Sequence, residues 1–283
     1  MRPREGPETS LRRPWQVRQW VTAYGARVVL RTNRAAVMPL LRSRLPLGSE
    51  LSFQGDGGAP DHVYSIVFTG NGDQEAALLR DGRRVAFCRS QASLLDIFAS
   101  QLALGVARAA RERVFLHCGV VGWRGQAILI PGRTCYGKTT LVARFLEAGA
   151  TYYSDEFALL DSAGHVHPYA RPLQIRRQHG NLLQTPVSAE ALGGAGGIGR
   201  DAIQPVLMLA CRYRDRASWR PTQITPGAAT LELLRHSLSA YWSPEAAFHA
   251  ASLTASRLSA WRGWRGEAQP VVEWALRRLD AGR

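Results

Sequence analysis

One eleven-residue segment, PGRTCYGKTTL at 131–141, constrains the fold of this chain more than any other. It contains Lys138, the only lysine among the 283 residues. The other 35 of the 36 Lys and Arg residues are arginine. Gly132, Gly137, Lys138 and Thr139 match the pattern G-x-x-x-x-G-K-[ST], a loop between a strand and a helix that surrounds phosphate groups. With 27 glycines in the chain, a single lysine would meet this spacing by chance about once in a thousand. We therefore predict a phosphate-binding loop.

The chemistry of such a loop explains why lysine is kept there. Backbone N–H groups and the N-terminus of the following helix bind phosphate oxygens. Lysine reaches the β- and γ-phosphates with three rotatable donors, whereas the planar fork of arginine does not fit the same space. The Thr139 hydroxyl supplies a ligand for Mg²⁺. We predict that the residues binding ATP are Gly132, Arg133, Thr134, Cys135, Tyr136, Gly137, Lys138, Thr139 and Thr140.

The residues around the loop predict its structural setting. VFLHCGVV and QAILI are short apolar runs separated by the turn-like GWRG, which predicts a β-hairpin ending at Pro131. TTLVARFLEAG predicts a helix with one apolar face and a stop at Gly149. ATYY and FALLD predict two short strands after it. Strand, glycine loop, helix and strand together make a βαβ unit.

An acidic pair, Asp155 and Glu156, follows Lys138 by only 17 residues, at the end of the next predicted strand. Beside a phosphate site, one carboxylate would accept a proton from an attacking hydroxyl while the other helps to hold magnesium. The alternative is a helix cap or a surface turn, because Ser-Asp-Glu is also good capping chemistry. The neighbouring phosphate loop favours the catalytic interpretation.

The rest of the chain predicts two domains. From about 20 to 88, short apolar runs alternate with turn signals such as Asp81-Gly82, which indicates small strands and hairpins. Residues 90–110 have helical spacing after a Ser cap. We predict a small N-terminal α+β lobe over 1–110 and a P-loop domain over 111–283. After Arg212 the chain is predicted to be mostly helical, because apolar residues recur at three- and four-residue spacing in 227–242, 244–261 and 270–279.

Composition narrows the class of protein. The net charge of +14 favours acidic partners, but no basic stripe with interleaved aromatics points to nucleic acid. No apolar run has the length of a membrane span, and the Arg-rich N-terminus lacks the apolar core of a secretory signal. The four cysteines form no CxxC pair, so neither a disulfide framework nor a zinc site is indicated. We expect a cytoplasmic protein without membrane contact.

A family resemblance rests on LHCGVVGWRGQAILIPGRTCYGKTTLVARFLEAGATYYSDEFALLD, residues 116–161. This segment resembles the C-terminal catalytic domain of HPr kinase/phosphorylase and, more closely, the short HPr-kinase-related proteins. The resemblance implies an α/β P-loop fold related to phosphoenolpyruvate carboxykinase. It also implies phosphorylation of a serine hydroxyl on a protein or peptide with ATP and Mg²⁺, and a tendency to form homo-oligomers.

The resemblance assigns roles to individual residues. Lys138 and Thr139 match the P-loop lysine and hydroxyl ligand of the family. Asp155 matches the carboxylate that acts as general base toward the serine. Glu156 stands where the family has a second aspartate, which implies a metal ligand. His117 matches the histidine at the start of the hairpin, although an isolated histidine on a strand is also an ordinary packed residue.

Two further positions bear on the resemblance. Cys118 replaces the glycine that the family has after the histidine, and the family's glycine-rich segment with a second metal ligand is not found. YARPLQIRR at 169–177 resembles a stretch of the short relatives, which implies that Arg171 or Arg176 clamps the transferring phosphate. A surface role for either arginine is an equal alternative.

The sequence thus predicts an ATP- and Mg²⁺-dependent kinase that phosphorylates a Ser or Thr hydroxyl on a small acceptor protein or peptide. Two alternatives stay open. One is a small-molecule hydroxyl kinase, and the other is a non-catalytic ATP-binding sensor or assembly module, against which the acidic pair argues.

Overall fold

The structure is a computed structural model that describes most of the chain. The described residues are 15–46, 48–55, 57–69, 75–110, 112–132, 136–170, 173–176, 184–187 and 196–281, with the backbone alone for 173–176 and 184–187. These residues form a mixed α/β protein, as the sequence predicts, with two mixed sheets, one two-stranded sheet and six α-helices. The chain divides into two compact units, Met1–Arg111 and Glu112–Arg283.

The first unit is built on a six-stranded sheet. Its elements are β1 (Val17–Ala23), β2 (Ala26–Thr32), α1 (Met38–Arg42), β3 (Glu50–Ser52), β4 (His62–Phe68), β5 (Ala76–Arg80), β6 (Arg83–Cys88) and α2 (Gln91–Ala109). The strand order is β3-β1-β2-β4-β5-β6, and β2 pairs with β4 in parallel. Both residues of the turns Tyr24-Gly25 and Asp81-Gly82 have positive φ, as tight two-residue hairpin turns require.

Helix α2 is the core helix of this unit. The Ser90 hydroxyl caps it by accepting a hydrogen bond from the Ser93 N–H at 3.5 Å. Leu94, Phe98 and Leu102 are fully buried, and the helix lies against β2, β5 and β6. Among the described helices, α2 alone has the length and mean hydropathy (1.2) of a membrane span, but half of that apolar window is buried within the protein.

The second unit is built on an eight-stranded sheet. Its strands are β7 (Val114–Trp123), β8 (Gln126–Pro131), β9 (Thr151–Ser154), β10 (Phe157–Leu160), β11 (Val166–His167), β14 (Gln204–Tyr213), β15 (Thr222–Ile224) and β16 (Ser259–Arg265), and the separate pair is β12 (Leu173–Arg176) with β13 (Gln184–Val187). The order is β11-β10-β7-β8-β14-β16-β15, with β9 also paired to β7. Strands β8, β14 and β16 are parallel neighbours, so their carboxyl ends share one edge.

Strands β9 and β10 lie end to end along β7. Both are antiparallel to it, β10 opposite 114–117 and β9 opposite 120–122. Residues 155–156 fill the gap between them, and the Cys118 N–H donates to the Glu156 carbonyl at 2.9 Å. On the other side of β7, Cys118 pairs with Pro131, the last residue of β8. The acidic pair therefore lies level with the end of β8, two strand positions away, about 10 Å across the sheet.

Helices cover both faces of this sheet. They are α3 (Lys138–Glu147), α4 (Pro226–Arg235), α5 (Pro244–Arg257) and α6 (Gln269–Ala281). Ile128 and Ile130 of β8 pack in one core with α3 and α6. Ala127 and Leu129 of the same strand pack in a second core with α4 and α5. Alternate residues of a central strand thus supply two cores, as expected for a sheet buried on both faces.

The prediction for the C-terminal part is correct for three helices and wrong between two of them. The spacing in 244–261 predicts one helix, but α5 ends at Arg257 and β16 begins at Ser259. The reason is tertiary, because β16 adds to the sheet through seven parallel pairs with β14, from Leu207–Ser259 to Tyr213–Arg265. That pairing overrides the local helical spacing.

Candidate functional site

The segment after β8 has the strand–loop–helix setting that the glycine pattern requires. Strand β8 ends at Pro131, and α3 begins directly with Lys138. Gly137 caps the helix in the left-handed region with φ 77° and ψ 22°, a conformation that glycine adopts without steric cost. Arg133, Thr134 and Cys135 lie outside the described residues. The described part of the loop thus turns into α3 with the first backbone N–H groups of the helix at the turn.

Lys138 folds back across the loop that precedes it. Its side chain is buried, with 7% of its surface exposed. Its Nζ donates to the Gly132 carbonyl at 2.6 Å and lies 3.3 Å from His117 Nε2. The ammonium therefore joins the first residue of the loop to β7. An ammonium has three donors on a flexible stem, and this arrangement uses that property of lysine.

His117 is held neutral beside the lysine. Burial, followed by the charges of Lys138 and His236, lowers the pKa of His117 to about 3. A neutral imidazole carries one proton, so a Nδ1–H tautomer leaves Nε2 free to accept from the Lys138 ammonium. The backbone of His117 is anchored to the end of α4, because the His117 N–H donates to the His236 carbonyl at 2.7 Å. The structure thus brings together two residues that the sequence predicts for the site.

The acidic pair meets the loop through Asp155. Its Oδ2 accepts a hydrogen bond from the Thr139 hydroxyl at 3.2 Å, and its Oδ1 accepts one from the Tyr152 hydroxyl at 3.1 Å. The backbone of Glu156 is anchored separately, since its N–H donates to the Ser154 hydroxyl at 3.1 Å. Ser154 therefore holds the turn, while Asp155 is oriented toward the first turn of α3.

The sequence also predicts Thr140, Arg176 and Arg171 for this site. Thr140 is exposed in the first turn of α3. Arg176 is the last residue of β12, and only its backbone is described. Arg171 lies outside the described residues. The roles proposed for these arginines therefore stay predictions.

Arg265 is a residue of this site that sequence reasoning missed. It ends β16, has 2% of its surface exposed, and donates from Nη2 to the Gly137 carbonyl at 2.7 Å and from Nη1 to the Gly266 carbonyl at 2.8 Å. Burial lowers the pKa of its guanidinium. A sequence separation of 128 residues hides the contact, and the only available signal was the strand-like alternation of SAWRGWR.

A buried ionic group lies next to the site on α4. Glu232 accepts from Arg262 Nη2 at 2.9 Å and lies 3.5 Å from His236 Nε2. The His236 hydrogen bond is the main cause that lowers the pKa of Glu232 to about 2. The group fixes the end of α4, whose His236 carbonyl in turn holds His117.

Comparisons with known proteins add no family to this geometry. No protein-family model and no curated protein sequence matches the chain. Among the described residues, no group of three or more His, Cys, Asp and Glu side chains is arranged to hold a metal ion. The functional argument therefore rests on the arrangement of Lys138, His117, Thr139 and Asp155.

Proposed function

We propose that this chain is an ATP- and Mg²⁺-dependent kinase, with an α/β P-loop domain of the HPr-kinase type, that phosphorylates a Ser or Thr hydroxyl of a small protein or peptide. The observation that carries the proposal is the 3.2 Å hydrogen bond between Thr139 and Asp155, because it joins the glycine-loop motif to the acidic pair. Binding a phosphate needs no carboxylate nearby. Transfer of a phosphoryl group to a hydroxyl uses one to accept the proton.

Nucleotide binding would use the loop and the start of α3. The N-terminus of this ten-residue helix offers backbone N–H groups and a partial positive charge to phosphate oxygens. Lys138, which contacts Gly132 and His117, lies at the start of this helix, where its ammonium would bind a phosphate oxygen. Because the neighbouring His117 is neutral, it adds no positive charge that would repel the lysine.

The oxygen atoms of Thr139 and Asp155 fit a magnesium ion. Magnesium takes oxygen ligands and is usually held in proteins by one or two side chains together with substrate phosphates and water. The hydroxyl and the carboxylate lie 3.2 Å apart at the start of the phosphate-binding helix, which meets that modest requirement. When bound, the ion would neutralise charge on the β- and γ-phosphate oxygens.

The two carboxylates can divide the work in two ways. In the division that the family resemblance implies, Asp155 is the general base and Glu156 holds the metal with Thr139. In the other, Asp155 holds the metal with Thr139 and Glu156 takes the proton. The hydrogen bond between Thr139 and Asp155 favours the second division, since it keeps Asp155 on the metal side of the loop.

The transfer itself would follow the usual in-line course. The base takes the proton of the acceptor hydroxyl while its oxygen bonds to the γ-phosphorus, and the bond from that phosphorus to the bridging oxygen of ADP breaks. Lys138 would stabilise charge on the transferring group. The family resemblance implies that Arg176 or Arg171 adds a second cation.

We infer a cytoplasmic location, where ATP and carrier proteins are present, and a homo-oligomer as in the resembled family.

Transfer from γ-labelled ATP tests the proposal. Wild type, Asp155→Asn and Glu156→Gln would be incubated with Mg²⁺ and a panel of serine-containing carrier proteins, peptides and metabolites, with ATP affinity measured in parallel. Glu147→Gln at the opposite end of α3 serves as the control. We expect wild type and control to label a polypeptide. The variant that lacks the base should lose transfer by about 10²- to 10⁴-fold while still binding MgATP.

The results separate the alternatives. The variant that lacks the metal carboxylate should need more Mg²⁺ for ATP binding, which identifies the division of roles. Label found only on a metabolite would establish a small-molecule kinase. ATP binding without transfer to any acceptor, equal in all four proteins, would establish a sensor and refute the kinase proposal.

A further inference from the structure

An exposed group of aromatic and arginine side chains adjoins the phosphate loop. We call it the aromatic–arginine face, and it consists of Tyr136, Arg212, Arg214 and Trp264. The Arg212 Cζ atom lies 5.7 Å from the Tyr136 ring centroid and 6.0 Å from that of Trp264. The Arg214 Cζ lies 5.9 Å from the Trp264 ring centroid. Trp264 keeps 49% of its surface exposed, which is unusual for so large an apolar ring in a well-packed unit.

The sheet fixes this arrangement. Arg212 of β14 and Trp264 of β16 are direct partners in the parallel register, near the carboxyl ends of their strands. Their side chains therefore leave the same face of the sheet. The Arg214 N–H donates to the Arg265 carbonyl at 2.9 Å, which holds the chain after β14 against the end of β16. Two residues of the face, Arg212 and Trp264, thus lie on paired strands, and Arg214 directly follows β14.

Tyr136 connects the face to the phosphate loop. It directly precedes Gly137, and a methyl group placed on Gly132 would lie 3.2 Å from the Tyr136 ring. The ring therefore lies across the first residue of the loop, within reach of Arg212. A ligand whose phosphates occupy the loop would therefore have this face beside it.

The position of the acidic pair sets the direction of such a ligand. Asp155 lies beside β7, on one side of β8, whereas β14 and β16 lie on the other side. A transferable phosphoryl group must lie near the carboxylates, so the remainder of the nucleotide extends toward β14 and β16. Strand β16 is two strand spacings from β8, about 10 Å. The face therefore lies where the sugar and base are expected.

We propose that the aromatic–arginine face binds the base of the nucleotide. Bases stack on exposed aromatic rings, and an adjacent arginine adds cation–π attraction. Within the described part of the chain, neither Arg212 nor Arg214 forms an ion pair with a carboxylate. Trp264 would form the stacking surface, with Arg212 and Arg214 beside it. The ligand class is a nucleoside triphosphate. The inference rests on the proposed function, because it needs the phosphates in the loop.

The test compares ATP with inorganic tripolyphosphate, which has the phosphates but no base. Calorimetric titrations with Mg²⁺ would use wild type, Trp264→Leu, Trp264→Phe and the control Trp123→Leu. Trp123 also has an arginine Cζ 5.7 Å from its ring, but it lies at the opposite end of β8 from the loop. Thermal unfolding of each variant is measured alongside.

We expect Trp264→Leu to weaken ATP binding by about 5- to 30-fold, within the range of one lost stacking contact. Its tripolyphosphate affinity should stay within about twofold of wild type, Trp264→Phe should retain most of the ATP affinity, and the control should bind both ligands as wild type does. Equal loss of both ligands, or no loss of ATP, would overturn the proposal for the face. If wild type binds both ligands equally tightly, the loop binds phosphate and the face binds no base. Binding of neither ligand by wild type would refute the proposed function, and this inference with it.

Discussion

Replacing Gly137 by alanine perturbs the contact between the phosphate loop and β16 in a way that can be quantified. The residue has φ 77°, and an added Cβ would lie 2.2 Å from Arg265 Nη2. The left-handed conformation costs alanine about 1–2 kcal/mol. The displaced guanidinium also loses its hydrogen bond to the Gly137 carbonyl, which costs about 1.5–3 kcal/mol for a charged donor. We expect Gly137→Ala to lower the free energy of unfolding by about 2.5–5 kcal/mol.

A double-mutant cycle with Arg265→Ala isolates the second contribution. That variant removes the same hydrogen bond and also the side chain with which the new Cβ would collide. The double variant therefore loses the hydrogen bond only once. The two effects should therefore fall short of additivity by about 1.5–3 kcal/mol. Urea unfolding monitored by tryptophan fluorescence provides the assay, because the ring centroids of Trp261 and Trp274 lie 5.0 Å apart within the same unit. Since the chain has two compact units, the second unit is expected to give its own transition.

Additive effects would refute this reasoning. If the double variant loses the sum of the single losses to within about 0.5 kcal/mol, Arg265 does not act through Gly137. A Gly137→Ala protein as stable as wild type would show that the loop does not need the left-handed glycine at the start of α3.

Three further predictions concern stability and pH. Phe145 is fully buried between α3 and the sheet, so Phe145→Ala should lower the free energy of unfolding by about 3–5 kcal/mol, and a loss under 1 kcal/mol in urea titration would contradict that packing. The pKa of His117 falls from 6.5 to about 3 on folding, so the unfolded chain binds the extra proton and stability decreases as pH falls from 6.5 toward 3. Between pH 7 and pH 5 wild type should lose about 2 kcal/mol more than His117→Gln, and parallel profiles in urea titrations would exclude a buried neutral His117. The pKa of Glu232 falls from 4.5 to about 2 on folding, so its contribution to stability is present above pH 4.5 and is lost as pH falls through 2. Between pH 4.5 and pH 2 the free energy of unfolding of Glu232→Gln should therefore decrease less than that of wild type.

Local patterns predicted the part of the fold that surrounds the loop. The hairpin of β7 and β8, helix α3, and the short strands β9 and β10 follow from neighbouring residues, namely an apolar run, a turn, a helical face and a stop at Gly149. Each of these elements depends on residues within about ten positions, which is the range over which periodicity is informative.

Strand β16 could not be predicted in the same way. Its residues Ser259–Arg265 follow a helix with no glycine or proline between them, and their alternation is short. What makes them a strand is parallel pairing with β14, about fifty residues earlier in the sequence. Pairing of that kind is set by the whole sheet and not by local preference.

The residues of the site were likewise predictable only where the local sequence brings them together. Lys138, Thr139 and Asp155 come from one short segment, so their proximity follows from the strand–loop–helix–strand order. The end-to-end placement of β9 and β10 along β7, which sets Asp155 against Thr139, depends on register and was not visible in the sequence. Arg265 was missed for the same reason, because it reaches Gly137 through a strand that local patterns did not indicate.

Replacing Lys138 by arginine tests the central claim most directly. ATP binding would be measured by calorimetry with Mg²⁺ for wild type, Lys138→Arg and Arg144→Lys, the reverse exchange at an exposed position of the same helix. We expect wild type and Arg144→Lys to bind alike, and Lys138→Arg to bind more than about tenfold more weakly, the equivalent of one lost charge-assisted hydrogen bond. If the Lys138→Arg protein is folded and binds ATP as tightly as wild type, the loop at 132–140 does not hold the phosphates.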